Sequence, residues 1–341
     1  MQSELIVHIG NGKTGTSSIQ KTLGDNSEAL DHQGIRYLGY ALERSENPRY
    51  EWQAPSEVNL LLAADQLERR HKELFEVLRD EMTLLASKGI PRAVWSNEAL
   101  FQQNATAVHA LKLLEETGVG IRIICYVRRH DHWAKSAYAQ WGIKHKTYAG
   151  PVKPFAEWVR SRSLHFAPAV DVWEAQFGKN FNLRNFDVIG DVSADFLTQI
   201  GAEGIAPQRV YETPSPEVLA LWAYYNSQSV DPVLPDKFQR AMRKTGVDID
   251  EPSRLPPIDK MLPTDAELAE VLRRNRRDME EINAVLERKG QPGFALGTKP
   301  QKPVDASPWV VDQMLLQMIF SLQDQVDRLQ SRIRKLTGNK D

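Results

Sequence analysis

A short apolar run, Leu5-Ile6-Val7-His8-Ile9, passes directly into Gly10-Asn11-Gly12-Lys13-Thr14-Gly15-Thr16-Ser17-Ser18, and Ile19 and Leu23 follow at helical spacing. Strand, glycine turn and helix in that order open a parallel α/β unit, because a strand followed by a crossover helix can pair again only in parallel. The alternation continues along the chain. Further strands are expected at Ile35–Leu38, Arg92–Trp95, Ile121–Val127 and Asn180–Phe186. Val58, Leu61, Leu62, Leu74, Phe75, Leu78, Met82 and Leu85 recur at three and four, predicting one long amphipathic helix, and Leu111–Leu114 lies on another. Ala194–Ile200 reads as a helix ended by Gly201. The expected fold is therefore α/β, with a mostly parallel sheet flanked by helices on both faces.

Beyond Pro207 the pattern changes. Prolines are frequent up to Pro263, which predicts loops and short helices around the sheet, and Leu268–Leu286 is strongly helical and charged. After a Gly/Pro/Lys linker at Gly290–Pro308, the apolar residues Val311, Leu315, Met318, Leu322, Val326, Leu329, Ile333 and Leu336 step by three and four. This divides the chain into a main domain, 1–302, and a C-terminal amphipathic helix, 303–341, patterned like a broken coiled coil. Its stripe needs a partner, either a second copy, giving a homo-oligomer, or the chain's own domain.

The charge balance limits the partners. With 43 Lys+Arg against 45 Asp+Glu, no global field draws the chain to nucleic acid or an anionic membrane, so anion binding must be local. The single cysteine, Cys125, rules out an intrachain disulfide or a cysteine-built zinc site and reads as a buried thiol within Ile123–Val127. Met1-Gln2-Ser3-Glu4 lacks a basic leader and its apolar stretch ends at Ile9. No run approaches the roughly 20 apolar residues of a membrane span. The expected compartment is the cytoplasm.

The glycine loop is a phosphate cradle by chemistry. Unpaired N–H groups and the dipole at a helix start favour an anion, Gly12 and Gly15 permit close backbone approach, Lys13 adds a point charge, and Thr14, Thr16, Ser17 and Ser18 add hydroxyls. A Walker A loop requires its lysine directly after the last glycine, whereas Lys13 precedes Gly15. Gly10, Gly12 and Gly15 fit the dinucleotide fingerprint, but a lysine inside that loop is unusual, and the second strand ends at Leu38-Gly39-Tyr40 instead of at a ribose-binding acid. Lys13-Thr14-Gly15-Thr16-Ser17 resembles the 5′-phosphosulfate loop of sulfotransferases that use 3′-phosphoadenosine-5′-phosphosulfate (PAPS), with Gly12 in place of the family's usual proline.

A second element strengthens the resemblance. Tyr126-Val127-Arg128-Arg129-His130-Asp131 leaves a strand end, where ligands bind in open α/β sheets, and Ser136 follows eight residues after Arg128. Arg128, Ser136 and Tyr138 are similar to the family's 3′-phosphate motif, and the intervening residues resemble the Arg-Arg-x-Asp variant of bacterial carbohydrate-type sulfotransferases. His130 and His132 are a weak metal pair with no third ligand nearby. Arg288-Lys289-Gly290 matches a three-residue family signature, but a basic helix C-terminus is its ordinary explanation. The resemblance implies a P-loop-like sulfotransferase fold, PAPS as donor, adenosine 3′,5′-bisphosphate (PAP) as product, no metal, and a carbohydrate-containing acceptor, with Lys13 and Glu98 catalytic. Glu98 follows the Arg92–Trp95 strand, where glycan sulfotransferases place a catalytic glutamate; the competing role is a first-turn acid of a helix capped by Ser96 or Asn97. The rival functions are a kinase-like enzyme and a non-catalytic nucleotide or glycan-binding protein using the same loop. Trp133, Tyr138, Trp141, Tyr148, Phe155 and Trp158 suit either a sugar-stacking cleft or the core.

Overall fold

Five segments pair into one all-parallel sheet: β1 (Glu4–Gly10), β2 (Ile35–Tyr37), β3 (Arg92–Ser96), β4 (Gly120–Val127) and β5 (Phe181–Asn185), in the order β2-β3-β1-β4-β5. The computed structural model describes residues 3–208, 210, 216–227, 229–236, 238, 261–297 and, near the C-terminus, 315, 318, 322, 325, 326, 328–330, 332 and 333. These residues belong to two compact units. One is Met1–Trp133 with Leu164–Glu212 and Leu272–Gly297, and the other is Ala134–Ser163 with Thr213–Val271 and Thr298–Asp341.

The first unit holds the sheet. Leu5, Ile6, Val7, Ile9 and Ile123–Val127 are buried because helices cover both faces, which is why these strands read as near-continuous apolar runs. On one face Ile19 and Leu23 of α1 (Thr16–Asp25), Leu30 of α2 (Ser27–His32), and Phe196, Leu197 and Ile200 of α8 (Val192–Ile200) pack on Ile6, Val94, Ile124 and Tyr126. α3 (Leu67–Ser87) lies against α4 (Ala105–Glu116), and α4 and α7 (Ala167–Phe177) contact β4. Gly201 ends α8 in the left-handed conformation, as its position predicts.

Strand order sets the site. β1 hydrogen-bonds to β3 and β4, not to β2, so the chain leaves β1 toward one edge and leaves β4 toward the other. Connections that diverge from adjacent carboxyl ends leave a crevice between them, the usual ligand position in an open parallel sheet.

Some elements depart from the sequence reading. The helix expected from Val58 begins only at Leu67, since the backbone is extended at Ala63 (φ −64°, ψ 118°), and Val58–Leu60 and Ala64–Gln66 are separate 3₁₀ turns. Trp52, buried in the preceding turn Glu51–Gln53, donates from Nε1 to Glu73 Oε2 of α3 at 3.0 Å, tying that turn to the helix. Leu268–Leu286 forms two helices, Asp265–Arg274 and Arg276–Arg288, separated at Asn275.

In the second unit, a π-helix spans Tyr138–Lys144, short α6 spans Phe155–Arg160, and the proline-rich region contains α9 (Pro216–Ser227). Lys146 is fully buried there because its ammonium donates to the carbonyls of Gly150 and Ser229. The helix expected over 303–341 lies outside the described residues, apart from helical positions scattered between 315 and 333. Among the described residues, no helix is long and apolar enough to cross a membrane.

Candidate anion-binding site at the sheet edge

Between β1 and α1 the chain turns through Asn11-Gly12-Lys13-Thr14-Gly15 with positive φ at Gly12 (35°), Lys13 (58°) and Gly15 (79°). A left-handed lysine is unfavourable and persists only when its surroundings fix it. Three hydrogen bonds do so: Asn11 N donates to Tyr126 O at 3.0 Å, Trp133 Nε1 to Asn11 O at 2.9 Å, and Arg128 Nη1 to Lys13 O at 3.2 Å. Glycine is required at both flanks. A Cβ on Gly10 would stand 2.8 Å from Thr14 Oγ1 and 2.9 Å from Thr16 Oγ1, and one on Gly15 would stand 2.4 Å from Val192 Cγ1 of α8.

This loop concentrates buried polar groups. Thr14 Oγ1, Thr16 Oγ1 and Asn11 Nδ2 are buried with no hydrogen-bond partner among the described residues. Each such group costs about 1–3 kcal/mol if left unsatisfied. Gathered at the N-terminus of a ten-residue helix, they form a donor set whose chemistry suits an anion. Ser17 is exposed on that turn, while Ser18 Oγ accepts from Val210 N at 3.2 Å.

Arg128 reaches the same loop from the end of β4. Besides its bond to Lys13, its Nε lies 3.4 Å from Asp187 Oδ1, and its guanidinium sits 5.1 Å from the Phe186 ring centre. Burial pulls the Arg128 pKa below its usual value, with Asp187 and then Asp131 opposing. Burial also raises that of Asp187, but His132 Nδ1 (2.8 Å), the Arg129 N–H (2.7 Å) and Arg128 outweigh it, so the carboxyl ends below its ordinary value. Asp187 is thus the anchor of the arginine element. The sequence does not single it out, because nothing local links Asp187 to Arg128.

The neighbouring charges are committed elsewhere. Arg129 forms a bidentate pair with Asp131 at 2.7 and 2.8 Å. His130 Nε2 lies 2.6 Å from Asp278, while His132 binds Asp187, so the two histidines serve different carboxylates and do not converge. No group of three metal-ligating side chains occurs among the described residues. Ser136 is half-buried on α5 (His130–Ala137) and falls in the second unit. Arg288 and Lys289 approach Glu174 at 3.9 and 3.2 Å, and Lys289 Nζ donates to Gly178 O at 2.6 Å, the contacts of a basic helix end.

Glu98 emerges at the end of β3. Asn97 N donates to His8 O at 3.0 Å, and Asn97 Oδ1 accepts from Ala99 N at 2.9 Å, capping the 3₁₀ turn Glu98–Phe101. Asn97 therefore caps the turn and Glu98 is its first-turn acid, as the competing role expects, while Glu98 Oε2 also accepts from Gln20 Nε2 of α1 at 3.2 Å. Burial raises the Glu98 pKa; its own backbone N–H, a hydrogen bond from Gln20 and the charge of Lys13 oppose that rise. Arg128 thus binds the loop at Lys13 O, and Glu98 is tied to α1, which leaves that loop, through Gln20.

His8, the histidine of β1, is fully buried, with Nδ1 2.8 Å from Ser96 Oγ, and desolvation lowers its pKa to about 3. At neutral pH it is an uncharged, poor base. Trp133, Tyr138, Phe155 and Trp158 are buried core residues, whereas Trp141 and Tyr148 are half-buried. Cys125 is buried and free, its thiol pKa pushed up by burial. The chain matches no known family model, and no curated protein matches it.

Proposed function

We propose that this protein is a PAPS-dependent sulfotransferase with a P-loop-like sulfotransferase fold, acting on a hydroxyl or amine of a carbohydrate-containing acceptor. One observation carries the reading: the Thr14 and Thr16 hydroxyls, buried without partners among the described residues, stand at the helix N-terminus that follows Lys13, whose carbonyl Arg128 binds, and a carboxylate, Glu98, feels the charge of Lys13. A cradle for a dianionic group beside a candidate base suits transfer of a charged group to a neutral nucleophile. The strand order supports it as well, since a dinucleotide fold of the usual order places β2, not β3, beside β1.

The residues divide the work. Thr14, Gly15, Thr16 and the first-turn N–H groups hold the 5′-phosphosulfate, with Gly12 shaping the loop and Ser17 and Ser18 following on the helix. Arg128 holds the 3′-phosphate, a role the resemblance also gives to Ser136. Glu98 takes the proton as the acceptor oxygen bonds to sulfur. The bond from sulfur to the bridging oxygen breaks, its electron pair leaves on PAP, and Lys13 neutralises that charge. The test is transfer from ³⁵S-labelled PAPS across a panel of glycans, glycolipids and phenols. Label on a carbohydrate acceptor, abolished by Lys13→Ala, supports the reading; PAPS that neither binds nor transfers refutes it.

A further inference from the structure

We propose that Gln20 is a positioning residue that holds the Glu98 carboxylate against the lysine loop through both hydrogens of its side-chain amide. The kinetic part of this inference rests on the sulfotransferase reading; the structural part does not. Gln20 lies one helical turn after Thr16 on α1, so both side chains occupy the same face at the helix N-terminus. Its Nε2 donates to the Ser96 carbonyl at 3.1 Å and to Glu98 Oε2 at 3.2 Å. A primary amide nitrogen carries two hydrogens. Both are used here, and rotating the amide would forfeit both contacts and set its oxygen against two acceptors. One hydrogen fixes the amide to the end of β3, and the other fixes the carboxylate relative to that end.

The groups that face Glu98 define what the bond does. Lys13 approaches from the loop, and Tyr37 and Tyr40 from the end of β2 and the segment after it; burial first, and then negative charges including that of Glu98, raise both phenols, Tyr40 to about 12. Neither tyrosine carries charge at neutral pH. Desolvation therefore pushes Glu98 toward its neutral acid, and the backbone N–H, Gln20 and Lys13 oppose it. A donor to a carboxylate favours the ionised form, the form a general base requires.

The test uses full-length protein labelled with ¹³C at glutamate Cδ, the Glu98 resonance being the one lost in Glu98→Gln. Gln20→Met keeps side-chain length without donors, and Gln20→Glu adds a second carboxylate. The expected result is a Glu98 titration at higher pH in Gln20→Met and higher again in Gln20→Glu. The acid limb of kcat should move with it, lowering kcat about tenfold on that limb, while KM for PAPS stays unchanged. Coincident Glu98 titrations in the parent and both folded variants overturn the proposal. A Glu98 titration that moves while the rate profile does not leaves Gln20 as the holder of Glu98 and removes Glu98 as the base.

Discussion

Gly15→Ala tests how the cradle is held. The new Cβ would lie 2.4 Å from Val192 Cγ1, well inside contact distance, at a residue with φ of 79°. A left-handed alanine costs about 1–2 kcal/mol, and forcing a methyl into a packed site costs about 1–3 kcal/mol. The substitution should therefore destabilise the fold by about 2–5 kcal/mol. Val192→Ala alone removes two buried carbons, about 1.6 kcal/mol, yet it also removes the atom that the new methyl strikes. The double variant should be more stable than the sum of the single effects by about 1–3 kcal/mol, the overpacking part, while the backbone cost remains. Urea denaturation of all four proteins at one pH measures the cycle. Additivity within about 0.5 kcal/mol would show that α1 is not held against α8 through Val192.

Other outcomes follow from the same geometry. Arg128→Ala should weaken PAP binding about ten- to a hundredfold, the value of a charge-assisted bond, in calorimetric titration, and unchanged affinity would remove Arg128 from the site. Glu98→Gln should keep PAP affinity and melting temperature while losing about 10²- to 10⁴-fold in turnover; near-normal transfer would place the base elsewhere. His8 has a folded pKa of about 3, below its unfolded value, so the unfolded chain binds more protons between those values, and the contribution of neutral His8 is lost as pH falls through that window. Each pH unit there costs at most about 1.4 kcal/mol, so the parent should lose stability faster than His8→Gln on going from pH 7 to 5, and parallel curves would show that His8 is not buried neutral.

The central strands were legible because parallel strands covered on both faces leave near-continuous apolar runs, as in Leu5–Val7 and Ile123–Val127. The start of α3 was not, since Val58 and Leu61 keep helical spacing while being buried from a 3₁₀ turn and the residue that caps it, outside the helix. Periodicity reports a buried face, not the continuity of the backbone beneath it. In the site, the loop could be read from local chemistry, as could the emergence of Glu98 beside it. Gln20 and Asp187 could not, because each acts on a residue far away in sequence, at Glu98 and Arg128, and pairing across the sheet edge leaves no spacing to detect. The aromatic residues after Arg128 suited either a sugar cleft or the core, and Trp133, Tyr138, Phe155 and Trp158 fill the core.

Calorimetric titration with PAP, run beside ATP and NAD on the parent and Lys13→Ala, decides which nucleotide the loop holds. Saturable binding of PAP at one site is expected, weakened about tenfold or more when the lysine charge is lost, with ATP and NAD failing to displace it. Binding of NAD or ATP in preference to PAP, or PAP binding that ignores Lys13→Ala, would contradict the sulfotransferase reading.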